Sequence, residues 1–297
     1  MPSVLTALVY GPSVSPADID QIQAVLMASG ATVEPEKHQR TEFFDLVSME
    51  LKHPQDEATA LAALRSAVAP SVTGDVDVAL VANTLRQSER KLLIMDVDST
   101  LIQQEVIELI AAYAGKREEV AAVTEAAMRG ELDFAESLRA RVAVLAGLPE
   151  SVLDQVRHEV VLSRGARSLV EAFHQAGHVV ALVSGGFSQI LAPIAADLGI
   201  TNYLANDLEI VDSQLTGQVS GAIVDRATKA RMLREYSIAA GIAAENTIAV
   251  GDGANDLDML AAAGLGVAFN AKPAVRAAAD AAINIPDLDV VRYLAGV

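Results

Sequence analysis

The stretch that most constrains this chain runs from Lys91 to Glu105, KLLIMDVDSTLIQQE. Leu92 to Met95 form a short unbroken apolar run, the pattern of a strand buried on both faces of a helix-covered parallel sheet. The run ends at once in Asp96-Val97-Asp98-Ser99-Thr100. Open α/β sheets bind ligands outside the carboxyl ends of their strands, so two carboxylates stand where such a fold presents its functional groups. A carboxylate there can attack phosphorus and carry the phosphoryl group covalently, given a metal to suppress charge repulsion. A second carboxylate two residues on is placed to handle the leaving-group proton. Two aspartates closing a strand also read as plain punctuation, so the rest of the chain must decide.

The 297 residues leave room for about two domains, and an apolar content of 52% marks a globular chain. No apolar run approaches the ~18 residues that cross a bilayer. No Lys or Arg precedes Lys37, so the basic start of a signal peptide is missing. Without cysteine there is no disulfide and no thiolate zinc site. A soluble cytoplasmic protein is expected. The balance of 22 basic against 39 acidic residues gives a formal charge of −17, which argues against nucleic acid as a partner. An anionic small substrate stays open, because a metal and a few placed cations reverse the potential locally. The five histidines are scattered. His174 and His178 have helical spacing, but Gly177 between them marks a helix end, and both are read as surface residues.

Residues 1–84 read as a small module. Val4 to Tyr10 predicts a strand, and Ser15-Pro16 with Asp18 a helix start carrying a cap and an N1 proline. That helix runs to Gly30, with a further strand near Ala31 to His38. Val47, Met49 and Leu51 alternate with polar residues as a half-buried strand. A second helix covers about Gln55 to Val68, and Val76, Val78 and Leu80 alternate in a closing strand. The order βαββαβ is that of a ferredoxin-like α+β sandwich. At this length it resembles the ACT domain, a regulatory module that often pairs between subunits and binds amino acids. The first turn, Gly11-Pro12-Ser13-Val14-Ser15-Pro16, lacks the aspartate and second glycine that ACT ligand sites often carry. The resemblance therefore implies dimerisation or scaffolding ahead of ligand sensing, and a homodimer through this domain.

Thr84 to Arg90 is polar and reads as a linker into a second domain, 85–297. From about Glu105 to Val160 the pattern is helical, with stripes at Val106, Leu109, Ile110, Tyr113 and at Leu138, Val142, Leu145, and no strand signal. These residues form a helical cap inserted between two strands of the main sheet. Strands follow at Val179–Val183, Thr247–Val250, Leu265–Phe269 and Ala282–Ile285, with a hairpin over Tyr203–Val224 whose turn is expected near Gly217. Strands alternating with helices imply a doubly wound, Rossmann-like parallel sheet.

Four segments, each tied to one of these elements, carry chemistry. Asp96-Val97-Asp98-Ser99-Thr100 is the first. Ser184-Gly185-Gly186, directly after a strand, can close backbone N–H groups on a phosphate, though such turns are also common tight connections. Lys229, near the start of a helical run, can supply a fixed cation to transferring oxygens, though a lone lysine there is usually solvated. Gly251-Asp252-Gly253-Ala254-Asn255-Asp256 follows a buried strand and suits a hard cation such as Mg²⁺, which prefers carboxylate oxygens. In this order the four segments, over about residues 91–285, resemble the haloacid dehalogenase (HAD) superfamily of phosphotransferases. The resemblance implies Asp96 as nucleophile and Mg²⁺ ligand, and Asp98 as general acid–base that also offers its main-chain carbonyl to the metal. It further implies Ser184, Gly185 and Lys229 on the phosphoryl group, and Asp252 completing the metal shell with Asn255 and Asp256 in support. Dehalogenase members of the superfamily lack the second aspartate.

The cap carries Glu105 seven residues after Asp98, then Met128, Phe134 and Arg141. These spacings resemble the phosphoserine phosphatase family, where Glu binds the substrate ammonium, Arg its carboxylate, and Phe and Met form an apolar lid. A zwitterionic amino-acid phosphate needs one fixed anion and one fixed cation beyond the phosphate site. Taken alone, Glu105 also reads as a helix-start carboxylate and Arg141 as a solvated face residue. The resemblance implies Mg²⁺-dependent hydrolysis of L-phosphoserine, the last step of serine biosynthesis. Action on another small phosphomonoester, or transfer to an alcohol acceptor, uses the same aspartyl-phosphate and is not separated by the sequence. A P-type ion pump shares that chemistry but needs transmembrane helices. A catalytically dead regulatory protein would show loss of Asp96, Asp98, Lys229 or Asp252, and none is lost.

Overall fold

The computed structural model describes residues 2–35, 37–71 and 75–297. The first domain contains β1 (Ser3–Gly11), α1 (Pro16–Ala28), β2 (Thr32–Val33), β3 (Lys37–Arg40), β4 (Asp45–His53), α2 (Glu57–Val68) and β5 (Asp77–Ala82). Its antiparallel sheet has the order β2-β4-β1-β5, with β3 also on β4, which is the ferredoxin-like order expected. α1 starts where the sequence demanded: Ser15 and Asp18 form a reciprocal capping box, with Pro16 in the first turn. The single strand expected near 31–38, of which Glu36 lies outside the described residues, is instead the two pieces β2 and β3. Glu34 still donates to the carbonyl of Glu50, and then Pro35, which has no N–H, interrupts the ladder.

One face of this sheet buries Leu5, Val9, Met49 and Leu51 against Ile22 and Leu26 of α1 and Leu64 of α2. The other face sends Leu8, Tyr10, Leu46 and Val81 into the core of the second domain. Polar groups stitch the seam. The Tyr10 hydroxyl donates to the carbonyl of Ala282 (2.6 Å), Asp77 accepts from the main-chain and side-chain N–H groups of Asn284 (2.7 and 2.6 Å), and Arg65 pairs with Asp280. The expected polar linker is a short helix, α3 (Asn83–Gln87). Leu85 is buried there, and Arg86 donates to the carbonyls of Tyr293 and Leu294, which ties the segment down.

The second domain opens with β6 (Leu92–Met95), every residue of which is buried. The cap follows as α4 (Val106–Tyr113), α5 (Arg117–Met128), α6 (Phe134–Ala143) and α7 (Ser151–Glu159). Then come α8 (Ala166–Gln175), β7 (Val179–Phe187), α9 (Ser188–Asp197), β8 (Asn202–Val211), β9 (Gln214–Ser220) and α10 (Arg226–Ala240). The chain ends through β10 (Thr247–Gly251), α11 (Leu257–Ala262), β11 (Leu265–Phe269), α12 (Pro273–Ala278), β12 (Ala281–Ile283) and α13 (Val290–Ala295). The sheet order is β12-β11-β10-β6-β7-β8-β9, parallel except for the β8–β9 hairpin. β6, first in this domain, lies between β7 and β10. Its carboxyl end is thus the switch point where crevices of doubly wound sheets form. The two passes of chain between sheet and cap are joined at their base. Gln103 donates to the carbonyl of Val161, Ser163 to that of Leu101 (both 2.9 Å), and Ile102 and Leu162 bridge.

Two local expectations need correction. The hairpin turns at Asp212-Ser213, both with positive φ (48° and 57°), and Gly217 lies within β9. A Cβ on Gly217 would come within 2.9 Å of the Ala146 Cβ and 3.1 Å of the Ala143 carbonyl, so glycine there permits the cap to sit against the hairpin. His178 is only half exposed and packs edge-on against Phe173 at 5.5 Å. Burial, with the Lys91 ammonium nearby, lowers its pKa to about 4. No described helix is long and apolar enough to cross a membrane.

Candidate active site

Three strand ends converge at the switch point. The main-chain N–H of Asp96, straight after β6, donates to the carbonyl of Val250 in β10 (2.9 Å), which locks the acid beside the Gly251-Asp252 turn. Asp96 is almost fully buried. Its Oδ1 accepts the Val97 N–H and meets the Lys229 ammonium, each at 2.7 Å. Burial and the neighbouring Asp256 push its pKa up to about 7, against the pull of Lys229. Lys229 is wholly buried, one turn into α10, and bridges Asp96 Oδ1 and Asp256 Oδ1 at 2.7 Å each. Burial disfavours its charge, but the Asp256 and Asp96 carboxylates prevail and hold its pKa above the ordinary lysine value.

Asp256 is committed on both oxygens: Oδ1 to Lys229, and Oδ2 to the N–H groups of Asp252 and Gly253. It shapes the loop that presents Asp252. Asp252 accepts from the Thr100 hydroxyl at 3.3 Å, and burial, Asp256, Asp96 and Glu105 together raise its pKa well above the usual carboxylate range. Carboxylate oxygens of Asp96, Asp252 and Asp256 lie within 4.8 Å of one another. A compact, buried, all-oxygen donor set whose charges repel suits a hard divalent cation. With Asp256 already bonded, Asp96 and Asp252 are the carboxylates free to hold it. The Asp98 side chain stays outside this cluster.

The Asp98 side chain turns into a narrow cavity lined also by Asp96, Glu105, Met128, Phe134, Arg141, Ser184, Gly185 and Asn255. Of the residues singled out in the sequence, Lys229 stands behind Asp96 and Asp252 lines the adjoining opening. Burial, then Glu105 and Asp96, raise the pKa of Asp98 well above the ordinary carboxylate value, which favours its protonated form. Asp98 Oδ1 and Asn255 Oδ1 are both buried and, among the described residues, without a hydrogen-bond partner. Two orphaned acceptors on one cavity wall mark it as a place for a polar ligand. A Cβ on Gly186 would stand 2.9 Å from Asp98 Oδ2 and 3.1 Å from Ser184 Oγ, in the space these two groups share.

The far wall belongs to the cap. Glu105 precedes α4, yet its side chain does not cap that helix; it accepts the Ser99 hydroxyl at 2.5 Å. Burial raises its pKa, and Ser99, the largest opposing influence, draws it back down. Arg141 is buried, and burial lowers its pKa against the pull of Glu105 and Asp98. Its Nε donates to the carbonyl of Ser137 (3.1 Å) and Nη1 to the Thr124 hydroxyl (2.9 Å), so neutral partners fix the guanidinium and leave its charge for a ligand. Neither the helix-start reading of Glu105 nor the solvated reading of Arg141 accounts for these contacts. The Phe134 ring rests over Gly185, where a Cβ would be 2.7 Å from its Cζ, and Met128 lies over Gly253. Lid and sheet therefore meet through glycines. Sequence reasoning missed Ser99, Thr124 and Ser137, which contact Glu105 and Arg141; no motif marks these hydroxyls out from others in the chain.

A family model of haloacid dehalogenase-like hydrolases matches residues 93–261. Phosphoserine phosphatase from Streptomyces coelicolor is 58% identical over 79% of this chain, and the chain spans only 57% of that relative's length. A solved phospho-aspartyl intermediate analogue of phosphoserine phosphatase is 40% identical with a TM-score of 0.67, covering 69% of this chain and 99% of its own. A probable phosphoserine phosphatase from Vibrio cholerae is 36% identical with a TM-score of 0.74, covering 98% of this chain and 87% of its own. The chain belongs to the haloacid dehalogenase-like hydrolases, and the relatives it matches carry the name phosphoserine phosphatase.

Proposed function

We propose that the protein hydrolyses L-phosphoserine to L-serine and phosphate through an aspartyl-phosphate on Asp96, with Mg²⁺ held by Asp96, Asp252 and the main-chain carbonyl of Asp98. One observation carries the reading: a single cavity is lined by Asp96, Asp98 and Ser184 together with the charged side chains of Glu105 and Arg141. That set of functions matches a phosphomonoester joined to an ammonium and a carboxylate. The cation, when bound, would offset the repulsion between Asp96 and the phosphoryl oxygens.

The protein's own groups do the rest. Val97 N–H and Lys229 hold Asp96 Oδ1, which aims Oδ2 at phosphorus. Ser184 and Lys229 take up charge on the phosphoryl oxygens. Asp98, protonated, donates to the departing serine alkoxide; once ionised, it accepts a proton from the water that opens the aspartyl-phosphate. Phe134 and Met128 exclude other water during the first step. Glu105 reads the ammonium and Arg141 the carboxylate. For the first domain, the proposed role is contact with a second copy of the chain; an unchanged oligomeric size without residues 1–84 would refute it.

The test is phosphate release from L-phosphoserine, O-phosphoethanolamine, phosphothreonine and p-nitrophenyl phosphate, with Mg²⁺ and with EDTA. A strong Mg²⁺-dependent preference for L-phosphoserine is expected. Even activity across the esters would remove Glu105 and Arg141 from substrate recognition, and activity in EDTA would overturn the metal assignment.

A further inference from the structure

The β7–β8 pairing breaks where the chemistry begins. Val183 pairs with Leu204 and the next pair is Phe187 with Asn206, so Ser184, Gly185 and Gly186 stand opposite the single residue Ala205. Such a bulge frees main-chain groups from the ladder, and something must satisfy them. The Asn206 side chain does so. It is 2% exposed, its Nδ2 donates to the carbonyl of Gly185 at 2.8 Å, and its Oδ1 accepts the N–H of Val224 at 2.8 Å. Only one amide orientation satisfies both partners, since Gly185 offers an acceptor and Val224 a donor.

The geometry points to Asn206 as a positioning residue for the phosphoryl group, a role that rests on the cavity binding a phosphomonoester. In a trans peptide the C=O and the following N–H point opposite ways. With the Gly185 carbonyl held by Asn206, the Gly186 N–H faces the other side, where it donates to Ser184 Oγ at 2.8 Å. A hydroxyl that accepts there keeps its own proton for the cavity, where the phosphoryl oxygens sit. The second bond reaches the other phosphoryl ligand. Val224 directly precedes Asp225, which caps α10 and accepts the Lys229 N–H on its carbonyl at 3.0 Å. One buried amide thus sets the register between the Ser184 hydroxyl and the helix that carries Lys229. Glu105, Arg141 and the cap are not among its partners, so its influence belongs to the phosphate end alone.

The experiment is Asn206→Asp, which keeps the shape and the acceptor for Val224 but sets an oxygen against the Gly185 carbonyl. Two quantities are read with Mg²⁺ present: kcat/KM on L-phosphoserine and on p-nitrophenyl phosphate, and the affinity for orthophosphate by calorimetry, which needs no turnover. We expect kcat/KM to fall at least tenfold on both esters by the same factor, and orthophosphate to bind at least fivefold more weakly. Orthophosphate affinity within twofold of the parent, or a loss confined to L-phosphoserine, would overturn the inference. If Asn206→Asp does not fold, Asn206→Ser is read by the same criteria; failure of both to fold would make Asn206 a structural tie and equally overturn it. A parent protein that hydrolyses p-nitrophenyl phosphate but not L-phosphoserine would defeat the proposed substrate while leaving Asn206 decided on the other ester.

Discussion

Arg141 offers the sharpest separation between recognising the substrate and transforming it. Its guanidinium is pre-oriented by Thr124 and Ser137, and the neutral character of both partners leaves the full charge for a carboxylate. A hydrogen-bonded contact to a charged group is worth about 1.5–3 kcal/mol. At 1.4 kcal/mol per factor of ten, Arg141→Ala should lower kcat/KM on L-phosphoserine by roughly 10- to 150-fold. O-phosphoethanolamine is the same molecule without the carboxylate. It keeps its contacts to Glu105 and the phosphoryl site, so its kcat/KM should change by no more than about threefold. The assay is phosphate release on the two esters at saturating Mg²⁺, and the quantity read is the ratio of their kcat/KM values. Arg141→Lys should recover part of the ratio, because it restores charge but not the forked geometry. Equal losses on both esters would show that Arg141 acts through the architecture of the cap and would refute the reasoning.

Asp96→Asn should abolish turnover yet leave the melting temperature unchanged or higher, because a neutral amide relieves the repulsion with Asp256 that raises Asp96 toward 7; measurable steady-state hydrolysis would remove Asp96 as nucleophile. The same crowding predicts a pH effect on stability. In metal-free protein the folded state keeps a proton on Asp96 between the ordinary value of 3.8 and about 7, where the unfolded chain has lost it, so stability falls as pH rises through that window. Asp98 and Asp252 act in the same direction. Thermal melts in EDTA should therefore be lower at pH 8 than at pH 5.5, with Mg²⁺ restoring more at pH 8; a flat or rising metal-free profile would contradict the assignment. Gly217→Val combines a positive φ with the approach to Ala146 and should cost more than about 1–2 kcal/mol in urea unfolding. Asp77→Ala strands two donors of Asn284 at the domain seam and should cost about 1–3 kcal/mol, read the same way; no change would make the seam dispensable.

The sequence was legible where structure is local. The apolar run into Asp96 marked the central strand, Ser15-Pro16 and Asp18 marked a capped helix, and the glycines around Asp252 marked a turn too tight for side chains. It was opaque where partners are distant. Thr124 meets Arg141 across 17 residues and Asn206 meets Gly185 across 21, and neither leaves a periodic trace. Alternation at Val76, Val78 and Leu80 announced one buried face in β5. The structure leaves Val76 and Val78 only partly buried and fully buries Asp77, Ala79 and Val81, since the second domain covers that side. Gly217 looked like turn chemistry because glycine serves both turns and close packing, and only the position of α6 tells them apart.

The paired crossing at 101–103 and 161–163 divides labour between two bodies. Every group proposed to touch phosphorus or metal sits at a strand end of the sheet or on α10 behind it, while Met128, Phe134 and Arg141 enter from beyond the crossing and Glu105 stands at its threshold. The cap is therefore an exchangeable cassette: new helices between the same two posts would change which phosphate ester is admitted without disturbing how its bond is broken. Selection for a new substrate can act on some fifty residues whose failure costs affinity while the chemistry itself stays intact.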